Sequence, residues 1–182
     1  RELARILALR ANIAFSLRMP LEGARADADE AVRLLEADPD PYVLAMVLGV
    51  RALVYGEGLD RVIRLARRNG YEAIHLDALC LSGVEAVRRR DHESASSLLG
   101  RAWEGSRRCG FLGRQADTAG VLATLALQER RWADAGRWAR QAMVLRGEDE
   151  TTAHPTVCNQ LGSAAAGAGD PAEAERWWAA CD

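Results

Sequence analysis

The residues best suited to catalysis or metal binding are few and scattered. The chain has three histidines, His75, His92 and His154, and four cysteines. His154 and Cys158 are four residues apart, a spacing that would place both on one face of a helix. Pro155 lies between them, however, and a zinc site needs about four ligands. We therefore expect no metal site.

Nucleophilic catalysis and nucleotide binding also lack their motifs. Serines occur at Ser82, Ser94 and Ser106, but no G-x-S-x-G is present, and no His and Asp accompany the serines as a triad motif. The segment from Gly162 to Gly169 is rich in alanine and has no lysine, which a phosphate-binding loop requires. The sequence predicts a protein without catalysis of its own and without a cofactor.

All 24 basic residues are arginine, against 26 acidic residues, and the formal net charge is −2. Runs such as Arg88-Arg89-Arg90 and Arg130-Arg131 lie near predicted helix ends, where positive charge interacts favourably with the helix dipole. Acidic residues such as Asp91 and Glu129 lie close by, so a nucleic-acid-binding surface is the less favoured interpretation. The exclusive use of arginine, with abundant alanine and glycine, is typical of a high-GC bacterial genome.

These side chains lie on segments in which one pattern recurs: an alanine at a first position, a second residue four positions later and a small residue seven positions later, with one degenerate copy that begins at Val62. First positions recur every 33 to 40 residues, near the ~34-residue tetratricopeptide period. Since one helical hairpin cannot bury its apolar face alone, this period predicts stacked hairpins that share a core. The copies are Ala24/Ala28/Ala31, Val62/Ala66/Asn69, Ala95/Leu99/Ala102, Ala135/Ala139/Ala142 and Ala174/Trp178/Cys181.

Small residues also stand twelve positions before most of these copies, where the two helices of a hairpin would cross. Gly83 and Gly162 are the smallest of them. A larger side chain would push the helix axes beyond their usual separation of about 8–10 Å. We therefore expect close helix crossings at both glycines.

The sequence thus predicts an all-α fold, an α-α superhelix or solenoid of about five tetratricopeptide-like hairpins, in a single repeat domain over residues 1–182. The hairpins are expected at about 2–37, 41–69, 71–109, 112–146 and 151–182. No apolar run approaches the ~20 residues of a membrane span, so we expect a cytoplasmic protein without membrane contact. Because the chain begins at Arg1 within an amphipathic pattern and ends without a polar capping helix, we expect a fragment of a longer protein.

Three segments, Ala45 to Gly58, Arg88 to Gly110 and Ala116 to Ala142, resemble the tetratricopeptide-like C-terminal arrays of large actinobacterial ATP-binding transcriptional activators of the LuxR type, similar in layout to the maltose activator. Members of that family carry a nucleotide-switch ATPase before the helical array and a helix-turn-helix domain after it. The resemblance implies a non-catalytic module that binds a protein, a peptide or a small effector in a bacterial transcriptional regulator.

The resemblance also implies which residues line a concave groove, because the first helix of each tetratricopeptide hairpin faces inward. Carried over by position, this gives a mostly polar set, as expected for a peptide or a small polar ligand. The residues are Arg51, Tyr55, Asp77, Arg88, Asp117, Thr124, Gln128, Thr156, Asn159 and Ser163, with Cys80 and Val84 as apolar members. A groove face that is merely solvated is the alternative.

Two other functions remain open at the level of sequence. The chain could be a structural oligomerisation scaffold of an unrelated multidomain protein, or a helical repeat that binds nucleic acid. Trp177 and Trp178 lie on the last helix, where a following repeat is missing, so we expect them at an exposed edge that pairs two copies as a homodimer.

Overall fold

The computed structural model describes residues 1–17, 19–37 and 40–180. These residues form ten α-helices and no strand, and consecutive helices pack together, which confirms the all-α prediction. The helices are α1 (Glu2–Ser16), α2 (Leu21–Ala37), α3 (Pro41–Tyr55), α4 (Leu59–Asn69), α5 (Glu72–Arg88), α6 (His92–Cys109), α7 (Leu112–Gln128), α8 (Trp132–Arg146), α9 (Pro155–Ala168) and α10 (Pro171–Ala179). None of these helices is both long and apolar enough to cross a membrane.

The helix ends follow from local chemistry. Asp91 accepts a hydrogen bond from the Ser94 backbone N–H at the start of α6, as its position predicts. Gly70 and Gly110 end α4 and α6 in the left-handed region, with φ of 69° and 68°. Arg130, two residues after the end of α7, has a φ of 57°, a conformation that strains a residue with a Cβ. The predicted break at Asp38-Pro39 and the signature residue Cys181 lie outside the described residues.

The chain divides into two compact units, residues 1–81 and 82–182, and the boundary falls inside α5. In the first unit, α1 packs against both α2 and α3, and α3 packs against α4. Alanines on one face of α1, among them Ala4 and Ala8, join Leu35 and Val47 in the core. Asp27 of α2 is also buried, and its carboxylate accepts two hydrogen bonds from Arg10 of α1. These bonds lower the pKa of Asp27.

In the second unit each helix from α6 to α10 packs against the next, and α7 also packs against α9. Its largest core cluster draws Ala123 from α7, Ala139 from α8 and Leu161 from α9. Contact between helices two apart in sequence occurs in both units, as α1 with α3 and α7 with α9. A shared core of this kind is what stacked hairpins require.

The small-residue signature marks buried positions. Its members are at most 2% exposed in every copy except at Asn69 and Trp178 among the described residues. The predicted close crossings are confirmed: a Cβ at Gly83 would lie 2.5 Å from Leu99 Cδ2, and a Cβ at Gly162 would collide with the Trp178 indole. Leu99 and Trp178 occupy the same position in their copies of the signature. The two hairpins therefore pack in the same register.

Candidate ligand-binding cavity

A cavity of about 340 Å³ opens in the second unit among α5, α7, α8 and α9. We name it the unit 2 cavity. It brings together four residues that the sequence placed in a groove, Val84, Asp117, Thr124 and Thr156. Its lining residues are Val84, Val87, Asp117, Gly120, Val121, Thr124, Arg146, Thr156, Val157 and Gln160.

An ion pair stands at this cavity. Arg146 Nη2, from the last residue of α8, lies 3.1 Å from Asp117 Oδ1 on α7. The Asp117 side chain is 70% exposed and that of Arg146 is 28% exposed. Both charged groups are therefore reachable from solvent, and both residues line the cavity. An exposed pair of this kind contributes at most about 1 kcal/mol to folding, so stability alone is a weak reason for its presence.

Gln160 supplies a buried polar group with spare capacity. Its side-chain nitrogen donates to the Gly120 carbonyl oxygen at 2.7 Å and to Thr124 Oγ1 at 2.9 Å. A carbonyl oxygen only accepts, so the amide nitrogen must face Gly120 and the amide oxygen must point elsewhere. Gln160 is 5% exposed, and its Oε1 has no hydrogen-bond partner among the described residues. An unsatisfied buried acceptor costs about 1–3 kcal/mol.

The remaining wall of the cavity is aliphatic. Val157 and Val87 are buried, Val121 is half-buried and Val84 is exposed. The volume lies at the lower end of the range of about 300–1,000 Å³ found for small-molecule sites. An apolar wall, two opposite charges and an unpartnered acceptor suit a small molecule with a polar head and an aliphatic body.

In the first unit, two other predicted groove residues, Arg51 and Tyr55, belong to a hydrogen-bonded cluster at the surface. Arg51 Nε donates to Asp29 Oδ1 at 2.8 Å, and the Tyr55 hydroxyl donates to the same carboxylate. The hydrogen bond from Tyr55 is the larger cause, and that from Arg51 the smaller, of a lowered pKa of Asp29. The same hydrogen bond to Asp29 raises the pKa of Tyr55. The Arg51 guanidinium also lies over the Tyr55 ring. Both side chains are committed to contacts between α2 and α3.

Asp77 lines a separate, smaller cavity of about 190 Å³ in the first unit. Asn12 is the other polar side chain there, and the wall is otherwise apolar, with Met46, Leu53 and Ile74 among its members. This volume is below the usual range for a ligand site. The unit 2 cavity is therefore the stronger candidate.

The remaining predicted groove residues do not line the unit 2 cavity. Gln128 and Asn159 are exposed, Ser163 is half-buried, and Arg88 is exposed at the end of α5, where it pairs with Glu85 at 2.6 Å. Arg89 pairs with the same carboxylate. Such local pairing lowers the charge that an arginine run offers to a phosphate backbone.

The predicted exposed edge is wrong for Trp177. Trp177 is 3% exposed and belongs to the core cluster of Ala139 and Leu161. The reason is the phase of α10, because Ala174 and Trp177, three residues apart, share the buried face. Trp178 is 42% exposed, with its indole over Gly162. Of the predicted pair, only Trp178 lies at a surface.

His154 has a structural role. Its Nδ1 accepts a hydrogen bond from the Thr156 backbone N–H at 3.2 Å, which caps the start of α9. Among the described residues, no group of three or more His, Cys, Asp and Glu is placed to hold a metal ion. Cys109 is an exposed thiol at the end of α6.

Arg146 and Gln160 are not among the predicted groove residues. The predicted residues all lie on first helices, whereas Arg146 ends the second helix of its hairpin. Gln160 could have been found, because it follows Thr156 by four residues and so lies on the same face of α9. Its open acceptor, in contrast, is visible only once α7 lies beside α9.

Comparison with family models, with curated proteins and with solved structures finds no match to this chain.

Proposed function

We propose that this chain is a tetratricopeptide-like helical repeat that binds a peptide or a small polar effector and performs no catalysis of its own. The observation that carries the proposal is the unit 2 cavity, where Asp117, Thr124 and Thr156 meet a paired arginine and the open acceptor of Gln160. On an inert, solvated face, a buried acceptor without a hydrogen-bond partner would only destabilise the folded chain.

The repeat assignment rests on packing. Leu99 over Gly83 and Trp178 over Gly162 repeat one contact in two hairpins. The contacts of α1 with α3 and of α7 with α9 are of the kind that hairpin arrays form. We also propose that five such hairpins form one array.

Within this proposal the chain is the sensor array of a cytoplasmic bacterial transcriptional regulator of the LuxR type. The support is the resemblance of the three segments between Ala45 and Ala142. The gene around this segment tests the assignment. A P-loop ATPase encoded upstream and a helix-turn-helix domain encoded downstream are expected, and a different pair of neighbours would refute the regulator family while leaving the binding function open.

Peptide display tests the binding function. A random-peptide library is selected on the full chain, on Asp117→Arg and on Glu104→Arg. Glu104 forms an exposed ion pair with Arg107 at 2.9 Å in the same unit and so provides a matched charge reversal. We expect peptides enriched on the wild-type chain to be retained by Glu104→Arg and lost by Asp117→Arg. Identical enrichment on all three chains would contradict a binding role for the cavity.

One observation favours the second function, an oligomerisation scaffold. The face of α1 opposite its buried alanines carries Leu3, Ile6, Leu9 and Ile13, each 47–61% exposed. An exposed apolar stripe of this length is typical of an interaction surface. Both functions can coexist, since the stripe and the unit 2 cavity belong to different units.

A further inference from the structure

We infer that the unit 2 cavity binds a free α-amino acid with a branched aliphatic side chain. The inference rests on the proposed binding function and specifies its ligand. Three features of the cavity support it: the opposite charges of Asp117 and Arg146, the open acceptor of Gln160, and the valine wall.

The ion pair matches a zwitterion. The contact between Arg146 Nη2 and Asp117 Oδ1 uses one of the five N–H donors of the guanidinium and one of the two carboxylate oxygens. The remaining donors and the second oxygen can bind the carboxylate and the ammonium of one amino acid. A ligand with a single charge is attracted by one partner of the pair and repelled by the other, so the pair favours a molecule that carries both charges close together.

The open acceptor selects for an N–H donor. An ammonium group has three N–H donors. The Asp117 carboxylate cannot accept from all three at once, so a further acceptor is needed nearby. Gln160 is fixed on Gly120 and Thr124 of α7, and Asp117 lies one helical turn before Gly120. Asp117 and Gln160 both line the unit 2 cavity. The inference requires that the ammonium of one bound amino acid contacts both the carboxylate and the amide oxygen.

The aliphatic wall selects the side chain. Val84, Val87, Val121 and Val157 line the cavity. A volume of about 340 Å³ has room for several waters of roughly 30 Å³ each, so glycine or alanine would leave much of it unfilled. Leucine, isoleucine or valine would bury a branched chain against the valines and release that water.

Calorimetric titration of the full chain with L-leucine tests the inference. The analogues are 4-methylpentanoate, which lacks the ammonium, 3-methylbutylamine, which lacks the carboxylate, and N-methyl-L-leucine, which has one N–H fewer. D-Leucine tests the geometry at the α-carbon. We expect L-leucine to bind and each analogue with a single charge to bind at least about tenfold more weakly. N-methyl-L-leucine and D-leucine should also bind more weakly.

Variants connect the binding to the ion pair. Asp117→Asn and Arg146→Gln should each weaken L-leucine binding by about tenfold or more. Glu104→Gln and Arg107→Gln make the same changes in charge in the matched pair on α6 and should bind L-leucine as the wild-type chain does. Circular dichroism checks that all four variants are folded.

Equal affinity for L-leucine and for either analogue with a single charge would overturn the inference, and so would the absence of heat with L-leucine. If displayed peptides were still lost on Asp117→Arg in that case, the broader binding function would stand without the amino acid. If peptides and L-leucine both failed to bind, both proposals would fall.

Discussion

Single residues decide how closely the helices of this chain approach. Gly83 has no space for a side chain, because Leu99 Cγ and Cδ2 lie 2.6 Å and 2.5 Å from the position of a Cβ. Leu99 is fully buried, so it cannot turn away into solvent. Gly100, on α6 of the same hairpin, has nothing within 4 Å of its Cβ position. The two glycines thus provide a test and its control within one hairpin.

Gly83→Leu should lower the free energy of unfolding by about 1–3 kcal/mol, because the added side chain overpacks the α5–α6 crossing. Gly100→Leu should raise it by up to about 1 kcal/mol, since leucine has the higher helix propensity and its Cβ meets no atom within 4 Å. Denaturant unfolding monitored by circular dichroism measures both values. Equal stability of the two variants would show that the crossing at Gly83 is not close.

At the scale of elements, capping side chains set where helices begin and how they are joined. The α8–α9 connection is held by Asp149, whose carboxylate accepts hydrogen bonds from the backbone and the hydroxyl groups of Thr151 and Thr152. These bonds hold the pKa of Asp149 at about 2, below its ordinary value of 3.8. His154, which caps α9, lies two residues after Thr152. This loop therefore fixes the start of the helix that carries Thr156 and Gln160.

The contribution of Asp149 to stability should depend on pH. Its pKa is lower in the folded chain than in the unfolded chain, so the unfolded chain binds more protons between about pH 4 and 2. The stabilisation is therefore full above about pH 4 and is lost as the pH falls through about 2. We expect the thermal midpoint of the wild-type chain to fall further over this range than that of Asp149→Asn.

Glu150→Gln is the matched control, since it removes one negative charge from the same loop. Its thermal midpoint should follow that of the wild-type chain as the pH is lowered. A wild-type chain and an Asp149→Asn variant that lose stability in parallel between pH 4 and 2 would contradict the role of the Asp149 hydrogen bonds.

At the scale of the whole molecule, Trp177 is not available for the contact between copies that the sequence predicted. Trp177 is part of the core, so Trp177→Glu would place a charge in the second unit's largest apolar cluster and unfold it. The apolar stripe of α1, from Leu3 to Ile13, is exposed instead. Two copies that cover this stripe by a two-fold contact would form a closed dimer.

We expect the chain to sediment increasingly as a dimer as its concentration rises, and Ile6→Gln to shift it towards monomer. Leu112→Gln changes a leucine that is 58% exposed on α7, outside the α1 stripe, and should leave the association unchanged. Sedimentation equilibrium measures all three chains. A wild-type chain that remains monomeric at every concentration, or a dimer insensitive to Ile6→Gln, would exclude the α1 stripe as the contact.

The helices and most of the buried core positions are predictable from the order of residues along the chain. Helix ends follow from residues such as Asp91, Gly70 and Gly110, because caps and left-handed turns depend on a few neighbours in the chain. The burial of Ala95 and Ala139 and the close crossing at Gly83 were also predictable, since a period of 3.6 residues fixes which side chains share a face.

Only the tertiary structure decided which tryptophan is buried and where a ligand could bind. Trp177 and Trp178 differ by about 100° around α10, and the packing of α10 on α9, not its own sequence, selects Trp177 for the core. The cavity likewise requires Asp117, Arg146 and Gln160 from three helices to meet. Contacts between residues of different helices depend on how the helices pack, and the spacing of residues along the chain does not specify that packing.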